Sequence, residues 1–319
     1  MDVSVVVPAY NVERYVATAV GSVLQDPGVA VEVIVIDDGS TDGTAAVVEA
    51  MAQTDGRIRL LRQPRNGGPS RGRNRGIEEA RGTYVAFVDA DDWCAPGRLT
   101  RLVEVAEAAC ADIVSDNQHL IDEGANAPWT DIHTEFGVAY GDAEPIRPLE
   151  FVRQGWVIKS VVRRSFLIRE GLRFDPDVDY GEDYIFYVEA LARGCTWIVC
   201  GAPTYYHLAR EGSITHSGKT AADLLRYLGK AAAQAQAAGQ ADLARAFRHK
   251  QKRIGATLAL RGFTDRGRSR AFLAAAAAAV RMVPYAPVYA ERYVRRIDRL
   301  ARKRALTART ADEAVLHRP

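Results

Sequence analysis

Short β-branched runs alternate with amphipathic stretches through the first half of the chain. Val3 to Val7 is stopped by Pro8 and predicts a first strand beginning almost at once. Tyr15, Val16, Ala19, Val20 and Val23 recur at helical spacing and predict a helix up to the Asp26-Pro27-Gly28 break. Val31 to Ile36 reads as a second strand, with a helix from about Thr44 to Ala52. Ile58 to Leu61 reads as a third, followed by Asn66-Gly67-Gly68-Pro69 and a helix carrying Arg73, Asn74 and Gly76. Val85-Ala86-Phe87-Val88 is too short for a helix and predicts a buried strand, with a helix from about Pro96 to Ala109 after it. Asp112 to Ser115 predicts one more strand. Alternation at this spacing implies an α/β fold, a mostly parallel sheet with helices on both faces.

Asn117 to Pro148 is polar, contains Gly and Pro, and has little periodicity, so it reads as a long, partly ordered excursion. Val157 to Val162 predicts a strand and Ser165 to Glu170 a short helix. Gly181-Glu182-Asp183 opens an amphipathic helix to about Arg193, with Ile185, Phe186, Val188 and Leu191 as its buried stripe. Thr196 to Val199 and Thr204 to His207 read as two short strands. From about Ala221 to Arg304 the chain is rich in Ala, Leu and Arg and reads as helical, and the last ~15 residues lack a core pattern. Two regions follow: residues 1–216 as the α/β domain and 217–319 as a helical, basic C-terminal region.

Composition narrows the class without changing this picture. The chain has 319 residues, enough for a large core, and 42 Lys and Arg against 40 Asp and Glu. That balance gives no reason to expect a nucleic-acid partner, although acidic clusters lie early and basic ones late. Cys94, Cys110, Cys195 and Cys200 have no metal-binding spacing, so a reducing cytoplasm is the simplest setting. The N-terminus shows no signal-peptide pattern, and the longest apolar run, Ala271 to Val280, falls well short of the ~20 residues of a membrane span. A cytoplasmic protein, soluble or peripheral at the inner face of a membrane, is expected.

The chemistry collects at strand ends. In parallel sheets ligands bind at the carboxyl ends of the strands. Here three such ends carry Tyr10-Asn11, Asp37-Asp38 and Asp89/Asp91, and all three should meet on one edge. Asp89 and Asp91 should point the same way and Asp92 elsewhere. Converging carboxylates repel unless a cation or strong donors neutralise them, which suits a divalent metal; three acidic residues solvating a loop is the plainer alternative.

Val-Pro-Ala-Tyr-Asn after strand one, Ile-Asp-Asp-Gly-Ser-Thr-Asp-Gly-Thr after strand two and Asp-Ala-Asp-Asp after strand four together resemble the family 2 glycosyltransferases of GT-A fold. Asn66-Gly67-Gly68-Pro69-Ser70 through Arg73-Asn74-Arg75-Gly76-Ile77, and Gly181-Glu182-Asp183, are similar to further segments of that family. The resemblance covers roughly residues 1 to 216. It implies a nucleotide-sugar donor, with UDP as the expected nucleotide, and inversion by direct displacement onto an acceptor hydroxyl of a glycan, polymer, lipid-linked saccharide or natural product.

Residue by residue, the resemblance implies a donor site of Pro8, Ala9, Tyr10, Asn11, Asp37, Asp38, Gly68, Arg73, Asp89 and Ala90. In it Asp38 accepts from the base edge, although an Asp there also suits a turn. Ala9 and Tyr10 pack against the base, with Tyr10 as a plain core aromatic the alternative. Asp89 and Asp91 form the DXD pair for Mn²⁺ or Mg²⁺, with Asp91 the direct ligand and Asp89 reaching the ribose or a metal-bound water. His207 corresponds to a segment holding a third metal ligand or a phosphate-binding loop in some relatives; a lone His is more often structural. Asp183 is the general base, although an Asp opening a helix is also a standard N-cap. Glu182, Asp92 and Trp93 face the acceptor or the sugar, and Asp92 could instead cap the next helix. Arg71-Gly72 before Arg73 departs from the family's pattern and leaves open which arginine meets the diphosphate.

Arg292 to Arg304 is strongly basic, preceded by the apolar Ala271 to Val280 and the aromatic Tyr285 to Tyr293. Such helices fit an acidic membrane surface or a polyanionic acceptor. The preferred reading is a solvated helix packed on the catalytic domain or on a second subunit. A sugar-nucleotide pyrophosphorylase would carry a Gly-rich, Arg-containing loop after strand one, and a Rossmann oxidoreductase a GxGxxG there; neither is present. A degenerate sugar-nucleotide binder or assembly subunit is the remaining alternative, against which the intact Asp38, Asp89, Asp91 and Asp183 speak.

Overall fold

The computed structural model describes residues 1–156, 158–178, 181–210 and 221–265. The predicted alternation is present: β1 (Val3–Ala9), α1 (Val16–Leu24), β2 (Val31–Asp37), α2 (Thr44–Thr54), β3 (Ile58–Arg62), α3 (Pro69–Glu79) and β4 (Tyr84–Phe87). β5 (Trp93–Cys94), α4 (Arg98–Ala108) and β6 (Ile113–Asp122) follow. β1 pairs in parallel with β2 and β4, and β2 with β3. The strands bury nearly every residue, as in a sheet covered on both faces, and two apolar clusters lie on its two sides. Close helix packing depends on Gly76: a Cβ there would fall 2.1 Å from Val6 Cγ1, so α3 lies directly on β1 only because that position has no side chain.

The middle of the chain departs from the excursion predicted for Asn117 to Pro148. β6 runs on to Asp122, and β7 (Thr130–Asp131), α5 (Ile132–Phe136), β8 (Glu144–Pro145) and α6 (Pro148–Gln154) follow. Asn117, and Asp116 just before the stretch, are buried with partners. Asn117 donates to Asp131 Oδ1 at 2.7 Å and accepts from the His133 N–H at 3.0 Å. Asp116 holds Arg98 through two bonds of 2.7 and 2.9 Å. Hydropathy periodicity registers little of this, since the elements are short and buried apolar residues such as Ile132, Val138, Tyr140 and Ile146 are interspersed with buried polar ones.

β9 (Ser160–Arg163) begins later than predicted; Val157 lies outside the described residues. It is inserted between β4 and β6, antiparallel to both. Its start therefore lies at the same sheet edge as the carboxyl ends of its neighbours. α7 (Arg164–Arg169) and α8 (Glu182–Ala192) come next. The two short strands predicted at 196–207 are one strand, β10 (Trp197–Ala209), irregular around Pro203 and parallel to β6. The sheet order is β3-β2-β1-β4-β9-β6-β10-β5, with β7 on β6 and β8 on β10.

α9 (Ala221–Ala237) and α10 (Ala241–Asp265) close the described part. Leu228, Ala231, Ala232 and Ala235 of α9 recur at helical spacing and join Leu243, Ala244 and Phe247 of α10 in the same cluster as Phe151 and Trp197. One core thus runs across the 216/217 boundary read from the sequence. The apolar, aromatic and basic stretches at 271–304, and residues 211–220, lie outside the described residues. Among the described residues no helix is long and apolar enough to cross a membrane.

Candidate active site

The ends of β1 and β2 form one wall. Asn11 adopts a left-handed conformation (φ 52°) that lets its N–H donate to Ser40 Oγ at 3.0 Å and its side-chain oxygen accept from the Thr41 N–H at 2.8 Å. Asp42 accepts from the N–H groups of Glu13 and Thr44, which fixes the start of α2. Ala9 is buried and accepts from the Asp38 N–H. Tyr10 is 44% exposed and stands on the rim of this wall, so it is not a core aromatic.

Asp38 has a more definite occupation than a base contact. Its carboxylate accepts from the N–H groups of Gly67 (2.9 and 3.0 Å) and Gly68 (2.7 Å), drawing the loop before α3 onto β2. Gly68 can present its N–H this way because it sits at φ 85°, open to glycine. Burial raises the Asp38 pKa, and the two N–H groups oppose the rise. Asp37 accepts from the Ser40 N–H at 3.1 Å. Beside this loop Arg71 is exposed, whereas Arg73 is buried.

The Arg73 side chain is turned inward. Its guanidinium is locked among three carboxylates: Asp89 at 2.8 Å, Glu182 at 2.9 Å and Asp183 at 3.2 Å, with the Phe174 ring beneath it. Lys159, just before β9, completes the cluster, with Nζ 2.8 Å from Asp89 and 2.7 Å from Asp183. Its side chain is 2% exposed. The motifs did not single out Lys159; the available signal was a lysine interrupting an apolar run, where burial demands an anionic partner. Although burial opposes charging, the facing carboxylates raise the pKa of both Lys159 and Arg73. Burial would raise Asp89, yet the two cations hold it well below the usual carboxylate range. Glu182 is pushed up, first by burial and then by Asp183.

The α8 start brings Asp183 here without using it as a cap. Gly181 occupies the cap position at φ 79°, and Glu182 and Asp183 are the first two helical residues. Through Arg73 and Lys159 the acidic motif meets Asp89 at the end of β4.

The three aspartates after β4 separate sharply. Both Asp89 oxygens are taken by Arg73 and Lys159. Asp91 pairs with Arg210 Nε at 2.7 Å, and its pKa is raised by burial and by the charges of Asp92 and Asp89. Asp92 is 1% exposed and turned onto β10, accepting from the Tyr205 hydroxyl and the Leu208 N–H, both at 2.8 Å. The sugar contact read for it, and the alternative helix cap, both give way to this. Ala90 between them is buried. Trp93 stacks on Tyr206 with centroids 5.1 Å apart, and His119 lies against the same tyrosine at 4.8 Å.

The fit to a hard divalent cation is partial and specific. Among the described residues no three His, Cys, Asp or Glu side chains form a ready cage. Of the three aspartates, Asp91 has the character of a ligand, a partly exposed carboxylate among like charges. Mg²⁺ is commonly held by one or two carboxylates with substrate phosphates and water, and Asp91 fits that arrangement. His207 is turned onto Asp92, its Nδ1 3.2 Å from that carboxylate, which raises its pKa against a burial penalty.

Known proteins place the whole in context. The chain is 36% identical over 229 residues to the succinoglycan biosynthesis protein ExoO of Rhizobium meliloti, covering 67% of this chain and 62% of that one. It is 33% identical over 284 residues to ExoU of the same organism, another succinoglycan biosynthesis protein, covering 85% and 82%. The chain thus spans just under two thirds of ExoO and most of ExoU. Its fold is similar to Staphylococcus aureus TarS in complex with UDP-GlcNAc, with a TM-score of 0.63 and 24% identity over 73% of this chain and 66% of that one. That likeness shows the GT-A type of sheet with helices on both sides. The profile of glycosyl transferase family 2 matches residues 4–172, and with the ExoU match this shows that the chain belongs to that family.

Proposed function

We propose that this chain transfers a sugar, with inversion, from a UDP-sugar to a hydroxyl of a growing extracellular polysaccharide. The observation that carries it is the meeting, at one sheet edge, of the Tyr10 and Asp38 wall, Asp91 and the Glu182-Asp183 start of α8. The succinoglycan relatives support the polymer class and the TarS complex supports the donor class.

In this reading the uracil lies against the wall of Tyr10 and the Asn66-Gly67-Gly68 loop, whose shape Asp38 fixes, with Pro8, Ala9, Asn11 and Asp37 behind it. Exposed Arg71, rather than buried Arg73, meets the diphosphate. Asp91 would hold Mg²⁺ or Mn²⁺ together with donor oxygens, and that ion would offset charge developing on the leaving diphosphate. Asp183 takes the proton of the acceptor hydroxyl as its oxygen bonds to the anomeric carbon; the bond to the diphosphate breaks and its electron pair leaves with the nucleotide. Glu182 and Trp93 border the acceptor side.

The test is UDP release from UDP-sugars with Mn²⁺, together with UDP binding measured calorimetrically. Asp183→Asn is expected to lower kcat by ~10²- to 10⁴-fold while leaving UDP affinity within about threefold. Equal turnover by both proteins with a proven acceptor would refute the base assignment. UDP binding no tighter than CDP or GDP binding would refute the donor assignment.

A further inference from the structure

We propose that Lys159 is a positioning residue that ties donor-side Asp89 to acceptor-side Asp183, so that the two halves of the site are assembled as one unit. The inference rests on the reaction proposed above, with Asp183 as base.

Asp89 and Asp183 come from unrelated parts of the fold, the end of β4 and the first turn of α8. Two carboxylates brought together at a sheet edge repel, and nothing in either element alone fixes their separation. Lys159 Nζ lies 2.8 Å from Asp89 Oδ2 and 2.7 Å from Asp183 Oδ2, a bridge with one compact cation at its centre. Arg73 bridges the same two residues through their Oδ1 atoms, at 2.8 and 3.2 Å. Each carboxylate is therefore held by both oxygens, which fixes rotation as well as distance.

The lysine is itself anchored. Its carbonyl accepts from Arg98 at 2.8 Å, and Arg98 is clamped by Asp116 of β6 in a fully buried pair. A stable strand start does not require such a residue, since desolvating an ammonium costs several kcal/mol and an apolar side chain would cost nothing of the kind. What the lysine supplies is a fixed geometry between the carboxylate beneath the donor and the one that meets the acceptor. Reaction rates are steeply sensitive to that geometry, a misplacement of about 1 Å costing about 10²-fold.

A double-mutant cycle with Lys159→Met and Asp183→Asn tests this, reading UDP release from UDP-N-acetylglucosamine, UDP-glucose and UDP-galactose with Mn²⁺, UDP affinity by calorimetry and Tm. Expected is a fall in kcat of about 10²-fold for Lys159→Met, with UDP affinity within about threefold of wild type. In the Asp183→Asn background the same substitution should cost less than about threefold, because the residue it positions is already disabled. Lys159→Arg, which keeps the charge, should recover at least about tenfold of the lost kcat. A merely structural lysine would give equal losses in both backgrounds, with UDP affinity falling alongside kcat; that result, or a Lys159→Met kcat within threefold of wild type, overturns the proposal, whereas a lower Tm is expected either way from the broken buried pairs. If Lys159→Met does not fold, Lys159→Arg decides: kcat lowered at unchanged UDP affinity supports the tether, and parallel loss of both overturns it. Absence of UDP release by the wild-type protein from every donor would instead overturn the glycosyltransfer reading on which the tether depends.

Discussion

Replacing Arg73 by Met separates a strut from a substrate contact. The side chain is 4% exposed and pairs with Asp89, Glu182 and Asp183. Removing it leaves Asp89 and Asp183 to Lys159 and takes from Glu182 its arginine, in a place that water reaches poorly. Breaking a buried ion pair from one side costs roughly 3–5 kcal/mol, and solvent screening offers little discount here. For a chain of this size that corresponds to a fall in Tm of about 4–8 °C. The assay is calorimetric unfolding with urea denaturation alongside, and UDP titration on the same samples. Expected are a lower Tm and denaturation midpoint, with UDP affinity changed far less than stability. An arginine that contacts the diphosphate would behave oppositely: Tm within about 1 °C and UDP binding weakened tenfold or more, the loss of one charge-assisted contact. That pattern would refute the role of Arg73 as a strut.

Gly76→Ala should destabilise the protein by roughly 2–4 kcal/mol in urea unfolding, because the new methyl collides with the buried Val6 side chain on β1. His133 is buried, and desolvation lowers its pKa from 6.5 to about 4, with Asp131 opposing. The unfolded chain thus binds this proton first, so stability present above pH 6.5 is lost progressively as pH falls to about 4, by up to about 3 kcal/mol. His133→Leu should flatten that slope, and an unchanged pH profile would refute the assignment. Asp91→Asn should abolish the part of UDP affinity that depends on Mn²⁺ while leaving the metal-free affinity unaltered, measured by titration with and without the ion.

Most of the fold, and the edge on which the site lies, were legible in the sequence. Val3–Val7, Val31–Ile36 and Val85–Val88 are runs whose burial on both faces leaves no polar alternation, and turn residues mark their ends. Parallel strands deliver their carboxyl ends to one side, which is why Tyr10, Asp38 and Asp91 were expected together, whereas Asp183, at a helix start, was indicated only by the family resemblance. The ordered middle was not legible, since its strands and helices are too short for Ile132, Val138, Tyr140 and Ile146 to set up a period, and Asn117 is buried as a hydrogen-bonded polar group.

The division of labour among the acidic residues belonged to tertiary structure. The segment Asp89-Ala90-Asp91-Asp92 states that charge must be neutralised there, and cannot state by what. β9 runs against its neighbours, so Lys159 lands among the carboxyl ends, and α3 sits close enough on β1 for Arg73 to reach the same place. β10 then takes Asp92 and leaves Asp91 beside Arg210. Sequence determines which groups can carry a charge, because an ionisable side chain is a property of the residue. Which carboxylate remains available to a substrate depends on which cations the fold brings within hydrogen-bonding distance, and those come from positions 16 to 119 residues away.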